Sequence, residues 1–479
     1  MKKLLTFSLS TITSLLFLML NAAAAERPNF LIMIADDLNG RDLGCRGNPD
    51  VKTPSLDQFA AEGVSFTRMY NPAATCSPTR HALYTGLFNI RSGAFPNHTR
   101  VYDGTKSIFT HLKAMGYRVA IQGKTHVGPD ASFPWEYLSK DVTDWEKTTS
   151  FINRDPTQPW LLVWASNDPH GPWTKGPKNL YDPAKITIPA YLHDNDVTRK
   201  DLCDYYAEIT NLDKDVGTLL GLLKTSKQES NTVALFLSEQ GSSFPFGGKW
   251  TMYDNGVHAA AFMRWPGVIA ANTTNAALMQ YVDVAPTYID LAGGDAKKID
   301  TGCPNISGPP GFDGHSFAKL LRGDQTPIRE FAFAQHTTLG VNGALEAYPS
   351  RLVLDGRYSL VRNLVAENTF RIGGIHKGDL YESWEKDAAK DPQFATRFAL
   401  LSHRPAVELF DLEKDPFEKH NLADNPEFAP IQKRLQEQLD GWMKQQGDKG
   451  LETEKLASTR QGKSDEGDGE EKKKKKKDK

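Results

Sequence analysis

Four short, unbroken apolar runs constrain this chain more than any other feature: Asn29–Ala35, Tyr117–Gln122, Trp160–Ala165 and Thr232–Leu237. Each has strand length and lacks polar alternation, so each needs cover on both faces. Between the last two lies a segment of helical spacing, Asp201 to Thr225. Its apolar side carries Leu202, Tyr206, Ile209, Leu212, Val216, Leu219, Leu220 and Leu223. Buried strands alternating with amphipathic helices predict an α/β domain: a large mixed, mostly parallel sheet flanked by helices. Ligands of such sheets bind beyond the carboxyl ends of the strands. Here those ends run into polar, glycine-rich or histidine-bearing sequence, which is where chemistry is expected.

The texture changes after about residue 320. Arg351–Arg362 reads as a hairpin turning at Asp355-Gly356, and a helix from Pro430 sets Ile431, Leu435, Leu439 and Trp442 on one side. The expected organisation is a larger domain over 26–320 and a smaller C-terminal α+β domain over 321–446, with a short antiparallel sheet and a helix. A disordered charged tail is expected over 447–479, where apolar residues nearly vanish and six lysines follow Glu470-Glu471. At the other end, Lys2-Lys3, an apolar stretch from Leu4 to Leu20 and Asn21-Ala-Ala-Ala-Ala25 form the pattern of a secretory signal over 1–25. The expectation is an exported protein, periplasmic or secreted, with no stable membrane anchor.

Export permits disulfides, but Cys45, Cys76, Cys203 and Cys303 are too few for a disulfide scaffold. If Cys76 does chemistry, at most one bridge can form among the other three. The 57 Lys and Arg nearly balance the 59 Asp and Glu. That excludes a broad cationic field for nucleic acid, so an anionic substrate must be held by a local arrangement.

Asn71-Pro-Ala-Ala-Thr-Cys76-Ser77-Pro78-Thr79-Arg80-His-Ala-Leu-Tyr-Thr-Gly86 is the most informative stretch. Ser77 suits a cap, Pro78 the first helical position, and Gly86 the helix end. Cys76 then precedes a helix N-terminus, where amide groups favour an anion and a lowered thiol pKa, and Arg80 can point back to the same spot.

Cys76-Ser-Pro-Thr-Arg80, with Leu83 and Thr85-Gly86 behind it, resembles the signature of the type I sulfatases, relatives of alkaline phosphatase. Further resemblances follow in order along the chain. They are Asp36-Asp37 after the first strand, Gly123-Lys124-Thr125-His126-Val-Gly128, Asn167-Asp-Pro-His170-Gly-Pro172, Lys249, and Glu408 to Leu422. The resemblance implies an alkaline phosphatase-like fold and conversion of Cys76 to formylglycine (3-oxoalanine), whose hydrated aldehyde is the nucleophile. A formylglycine-generating or sulfatase-maturating enzyme is thereby implied as a partner. Oxygen ligands from Asp36 and Asp37 suit a hard divalent cation, Ca²⁺ in preference to Mg²⁺, with residue 76 as a further ligand. Arg80, Lys124 and His126 are expected around residue 76, with His126 as the base that breaks down the sulfated intermediate. His170 and Lys249 are expected to contact the sulfate and assist the leaving oxygen.

The chain departs from the family pattern in two places. The second metal pair is Ser238-Glu239-Gln240-Gly241, where Ser-Asp-Asn-Gly or Ser-Asp-His-Gly is common. Donor chemistry survives with both arms one methylene longer, and Glu239 and Gln240 are still expected in the metal shell. Tyr253-Asp-Asn-Gly-Val-His258 replaces a Tyr/Trp-Glu-Gly-Gly-x-Arg element, so His258 is expected in the pocket wall. Asn97, His98, Arg100, Trp173 and Phe244 are candidates for a sugar subsite. The expected activity is hydrolysis of sulfate esters or sulfamates of a sulfated carbohydrate, since segments around Lys124 and Asp168 resemble heparan N-sulfatases. Two alternatives are a phosphomonoester or phosphonate-ester hydrolase on the same scaffold and a non-catalytic glycan-binding relative.

Overall fold

The computed structural model describes residues 27–306, 310–341, 344 and 346–461. The signal-like segment and the lysine run lie outside them. Thirteen strands are described, the first nine in one sheet: β1 Asn29–Ala35, β2 Val64–Tyr70, β3 Arg118–Gly123, β4 Glu136–Tyr137, β5 Trp160–Ala165, β6 Thr232–Ser238, β7 His258–Arg264, β8 Thr273–Asn275 and β9 Met279–Gln280. The order is β4-β3-β5-β1-β6-β7-β2-β8, with β9 also on β2. The pairs from β4 through β6 are parallel, and β7 runs antiparallel to both neighbours.

The unbroken apolar runs are explained by burial on both faces. Phe30, Ile32 and Ile34 of β1 enter one core with Leu161 and Val163 of β5 and Val233 and Leu235 of β6. Leu31 and Met33 enter the other with Leu162, Trp164 and Phe236. That second core is covered by the helix Asp196–Thr225, which starts five residues before its apolar periodicity does. Its signal is Asn195, whose side chain accepts from the Thr198 amide.

A second, antiparallel sheet contains β10 Ala332–His336, β11 Ser350–Leu354, β12 Tyr358–Asn363 and β13 Val407–Asp411, in sequence order. The predicted hairpin is β11–β12. The helix Ala429–Gln446 packs Leu435, Leu439 and Trp442 against Val353, Leu360 and Leu409.

Residues 447–461 correct the expectation of a disordered tail from 447. They include two short helices, Leu451–Lys455 and Ala457–Arg460. Hydropathy misses this segment because polar contacts hold it. Asp448 accepts from the buried Arg351 guanidinium, and the buried Glu454 carboxylate accepts from the Thr338 and Leu339 amides at 2.8 and 2.9 Å. Gln461 then forms a bridge to Thr99.

Both side chains of the Arg351–Asp448 pair are fully buried. Asp448→Ala leaves a guanidinium uncompensated and is expected to cost about 3–5 kcal/mol, read from the urea denaturation midpoint. A loss below about 1 kcal/mol, the range of an exposed pair, would contradict this account of residues 447–461.

Candidate active site

The site follows from strand register. Ala35 pairs with Ser238, Ile34 with Ala165, and Gly123 with Ala165, so β1, β3, β5 and β6 end almost level. Backbone bonds continue past the ends: Glu239 N–H donates to Ala35 C=O at 2.8 Å, Asp36 N–H to Asp168 C=O at 3.1 Å, and Lys124 N–H to Ala165 C=O at 3.0 Å. Strand β2 finishes at the same edge and delivers the helix Cys76–Thr85. Asn71 fastens this approach, its amide donating to Glu239 C=O at 2.9 Å and Gly256 C=O at 3.2 Å.

The helix begins two residues earlier than Ser77 and Pro78 predict. Thr75 is the extended residue before it, Cys76 is its first residue, and no side chain caps it. Gly86, with φ 67°, ends it as expected. Cys76 is buried and points among the acidic groups, with Sγ 3.5 Å from Asp36 Oδ1 and 4.0 Å from Asp37 Oδ1. The predicted lowering of its thiol pKa is corrected here. Burial pushes the thiol up, and Asp36 and Glu239 add to the shift, outweighing both lysines.

Ligand atoms of Asp36, Asp37, Cys76 and His170 all lie within 4.8 Å of one another. Lys124 pairs with Asp36 and Lys249 with Asp37. Burial opposes the charge on each ammonium, but the carboxylate partners prevail and hold both above the usual lysine range. Burial also raises Asp36, yet Lys124 and a hydrogen bond from Glu239 hold it well below the usual carboxylate range. The His170 Nδ1–H donates to Gly171 C=O at 2.7 Å, which leaves Nε2 to accept from Lys249 at 3.0 Å. The His170 side chain is 39% exposed, so the cluster opens to solvent on that side.

Glu239 is not in the four-group cluster. Its carboxylate is taken bidentately by Arg80, at 2.6 and 3.1 Å, with both side chains essentially without exposure. Burial raises Glu239 to about 8; Arg80 opposes this and Asp36 adds to it. The lengthened Glu239 arm thus meets both Asp36 and the arginine. Gln240 faces the cluster instead, its Nε2 2.6 Å from Asp37 Oδ1 and 3.0 Å from Cys76 Sγ. Its buried Oε1 has no hydrogen-bond partner among the described residues. Two carboxylates and an amide that can turn an orphaned oxygen inward form a hard-donor set that fits a divalent cation.

His126 lies at the cluster's edge, with its Nε2 3.0 Å from His98 Nδ1. Burial depresses the His126 pKa well below the usual histidine value, and Lys124, His98 and Arg80 depress it further. Other expected subsite residues separate here. Arg100 is exposed on the rim, 3.7 Å from Asp103. Trp173 is half-buried, stacked on Phe244 at 4.4 Å, with its indole N–H donated to Pro169 C=O. Phe244 is fully buried and presents no face to a sugar. His258 bonds Asp254 at 3.1 Å and Thr67 C=O at 2.8 Å through its two ring nitrogens, which fixes it as a framework residue rather than pocket wall. All four cysteines are free thiols. Sequence reasoning missed the Arg80–Glu239 pair and the Asn71 clasp, which join positions too distant for a local pattern to reveal.

Comparison with known proteins gives the family. A family model described as Sulfatase matches residues 28–134 and 129–294. An ulvan-active sulfatase of Formosa agariphila is 30% identical over 442 residues, covering 89% of this chain and 82% of that one. The human N-sulphoglucosamine sulphohydrolase is 25% identical over 482 residues, covering 89% and 92%. Among solved structures, a phosphonate monoester hydrolase from Silicibacter pomeroyi shares the fold with a TM-score of 0.66 at 18% identity, over 88% of this chain and 96% of that one.

Calcium is expected to raise thermal stability in calorimetry, by about 2.7 kcal/mol at a hundredfold excess over its Kd, and chelation to reverse the gain. Asp37→Ala should abolish the response. An equal calcium response in that variant would place the ion elsewhere.

Proposed function

From the premise that this chain belongs to the sulfatase family and is a sulfuric ester hydrolase, we propose that it removes sulfate from a sulfated carbohydrate with a nucleophile derived from Cys76. One observation carries this reading: the buried Cys76 side chain sits between Asp36, Asp37 and Gln240, with Lys124 and Lys249 paired to the two aspartates and Arg80, gripping Glu239, completing a ring of charge. Sulfate ester cleavage shifts negative charge among oxygens, and this ring aims cations and donors at one point.

When in place, Ca²⁺ (favoured over Mg²⁺) supplies Lewis-acid charge to the sulfate oxygens, and the aldehyde made from Cys76 supplies the attacking oxygen. Asp36, Asp37 and Gln240 would hold the ion, with Glu239, steadied by Arg80, beside it. Arg80 and Lys124 orient residue 76. Lys249 donates to His170 Nε2 across 3.0 Å, and the two would meet the leaving oxygen. His126 takes the proton whose removal frees sulfate.

Similarity to an ulvan-active sulfatase and to N-sulphoglucosamine sulphohydrolase supports a saccharide sulfate ester or sulfamate as substrate. Arg100 stands on the exposed rim, where further hydroxyl or sulfate groups of a glycan would lie. The signal-like residues 1–25 support export to the periplasm or beyond, and among the described residues no helix is long and apolar enough to cross a membrane. Maturation by a formylglycine-generating or sulfatase-maturating enzyme belongs to the same proposal.

Matured protein incubated with sulfated saccharides is expected to release sulfate, and Cys76→Ala to lose turnover with its melting temperature kept. Preference for phosphate or phosphonate esters over sulfate esters would transfer the chain to the phosphonate-hydrolase reading. Appreciable sulfate release by Cys76→Ala would remove the proposed nucleophile.

A further inference from the structure

His126 carries an asymmetry that its role as a base does not explain. Its Nδ1 is buried and without a hydrogen-bond partner among the described residues, whereas Nε2 lies 3.0 Å from His98 Nδ1. A neutral imidazole carries one N–H and one lone pair. Placing the hydrogen on Nδ1 would strand a buried donor, and an unmatched acceptor is the commoner and cheaper defect. The proton therefore belongs on Nε2, donated to His98 Nδ1. The lone pair is left on Nδ1, the atom free to take a proton.

An exposed histidine would not hold such a partner unless its backbone were fixed. His98 has φ 52°, in the left-handed region, and lies in a loop clamped from several directions. Thr99 N–H reaches Ser77 Oγ at 3.4 Å, on the turn that carries Cys76, and Val101 N–H donates to Gly128 C=O at 2.9 Å. The C-terminal segment closes the loop from outside. Gln461 Nε2 donates to Asn97 C=O at 3.1 Å, Arg460 to Arg100 C=O at 2.8 Å, and Thr99 Oγ1 to Arg460 C=O at 3.1 Å. The Arg460 guanidinium also sits 4.2 Å over the Tyr102 ring.

We propose that His98 is a positioning residue: its Nδ1 accepts from His126 Nε2–H and fixes the tautomer that leaves His126 Nδ1 as the proton acceptor. This rests on the sulfatase reading for its catalytic consequence, but the tautomer itself does not depend on turnover. It replaces the sugar-subsite role expected for His98.

Asn suits the test because it tolerates left-handed backbone and offers an acceptor oxygen on a similarly short arm. His98→Asn should keep kcat within about threefold, while His98→Ala should lower it at least about tenfold with KM little changed, since the gain from a positioned base is lost. His98→Asp gives a readout that packing alone would not move. The charged groups facing His126 are Lys124 from the end of β3, Arg80 from the Cys76 helix and Asp36 from β1. A new carboxylate beside this ring favours imidazolium, so the acidic limb of kcat should move up by about one pH unit. Long-range ¹H–¹⁵N spectra of imidazole-labelled protein, with His126 assigned by its own substitution, should show the Nε2–H form in wild type and a loss of that preference in His98→Ala. An Nδ1–H form in wild type, or equal kcat losses in the Asn and Ala variants, would overturn the proposal. Wild type lacking sulfate release but showing Nε2–H would refute the sulfatase reading and leave the positioning intact.

Discussion

The level ending of β1 and β6 is the constraint on which the site depends. Seven residue pairs lock these strands in parallel, from Asn29–Thr232 to Ala35–Ser238, and the next residues are Asp36-Asp37 and Glu239-Gln240. In a parallel sheet buried on both faces, a slip of one residue would exchange the two cores, so the apolar pattern of the strands enforces the register. Chemistry at the edge is positioned by hydrophobic packing beneath it. The polar groups need only continue the ladder already set.

That edge gathers three carboxylates and three permanent cations with little access to water. Asp36 faces Lys124, Asp37 faces Lys249, and Glu239 faces Arg80. Each pair compensates a desolvation cost that neither member could bear alone. The same pairing explains why Cys76 is unsuited to act as a thiolate. Burial, with Asp36 and Glu239 beside it, drives the thiol toward its neutral form, whereas an oxygen nucleophile is compatible with hard, cation-binding surroundings.

The central sheet was legible because burial on both faces leaves an unbroken apolar run, and the order of strands and helices then limited the topology. The residues at the strand ends were legible through motif resemblance joined to that placement. What escaped depended on partners far apart in the chain. Glu239 reads as a metal ligand, but its pairing with Arg80 could not be read from the sequence. His258 and Phe244 read as pocket residues until Asp254, Thr67 and Trp173 claim them. Residues 447–461 look unstructured by hydropathy because Asp448 and Glu454, rather than apolar side chains, anchor them. His98 looks like a rim residue, and only proximity to His126 gives it a second meaning.

Mass spectrometry of the peptide spanning residue 76, from protein matured in an exporting host and releasing sulfate, tests the central claim most directly. The account predicts that the thiol of Cys76 has been replaced by an aldehyde or its hydrate in the active fraction. An intact cysteine throughout a fully active preparation would contradict it.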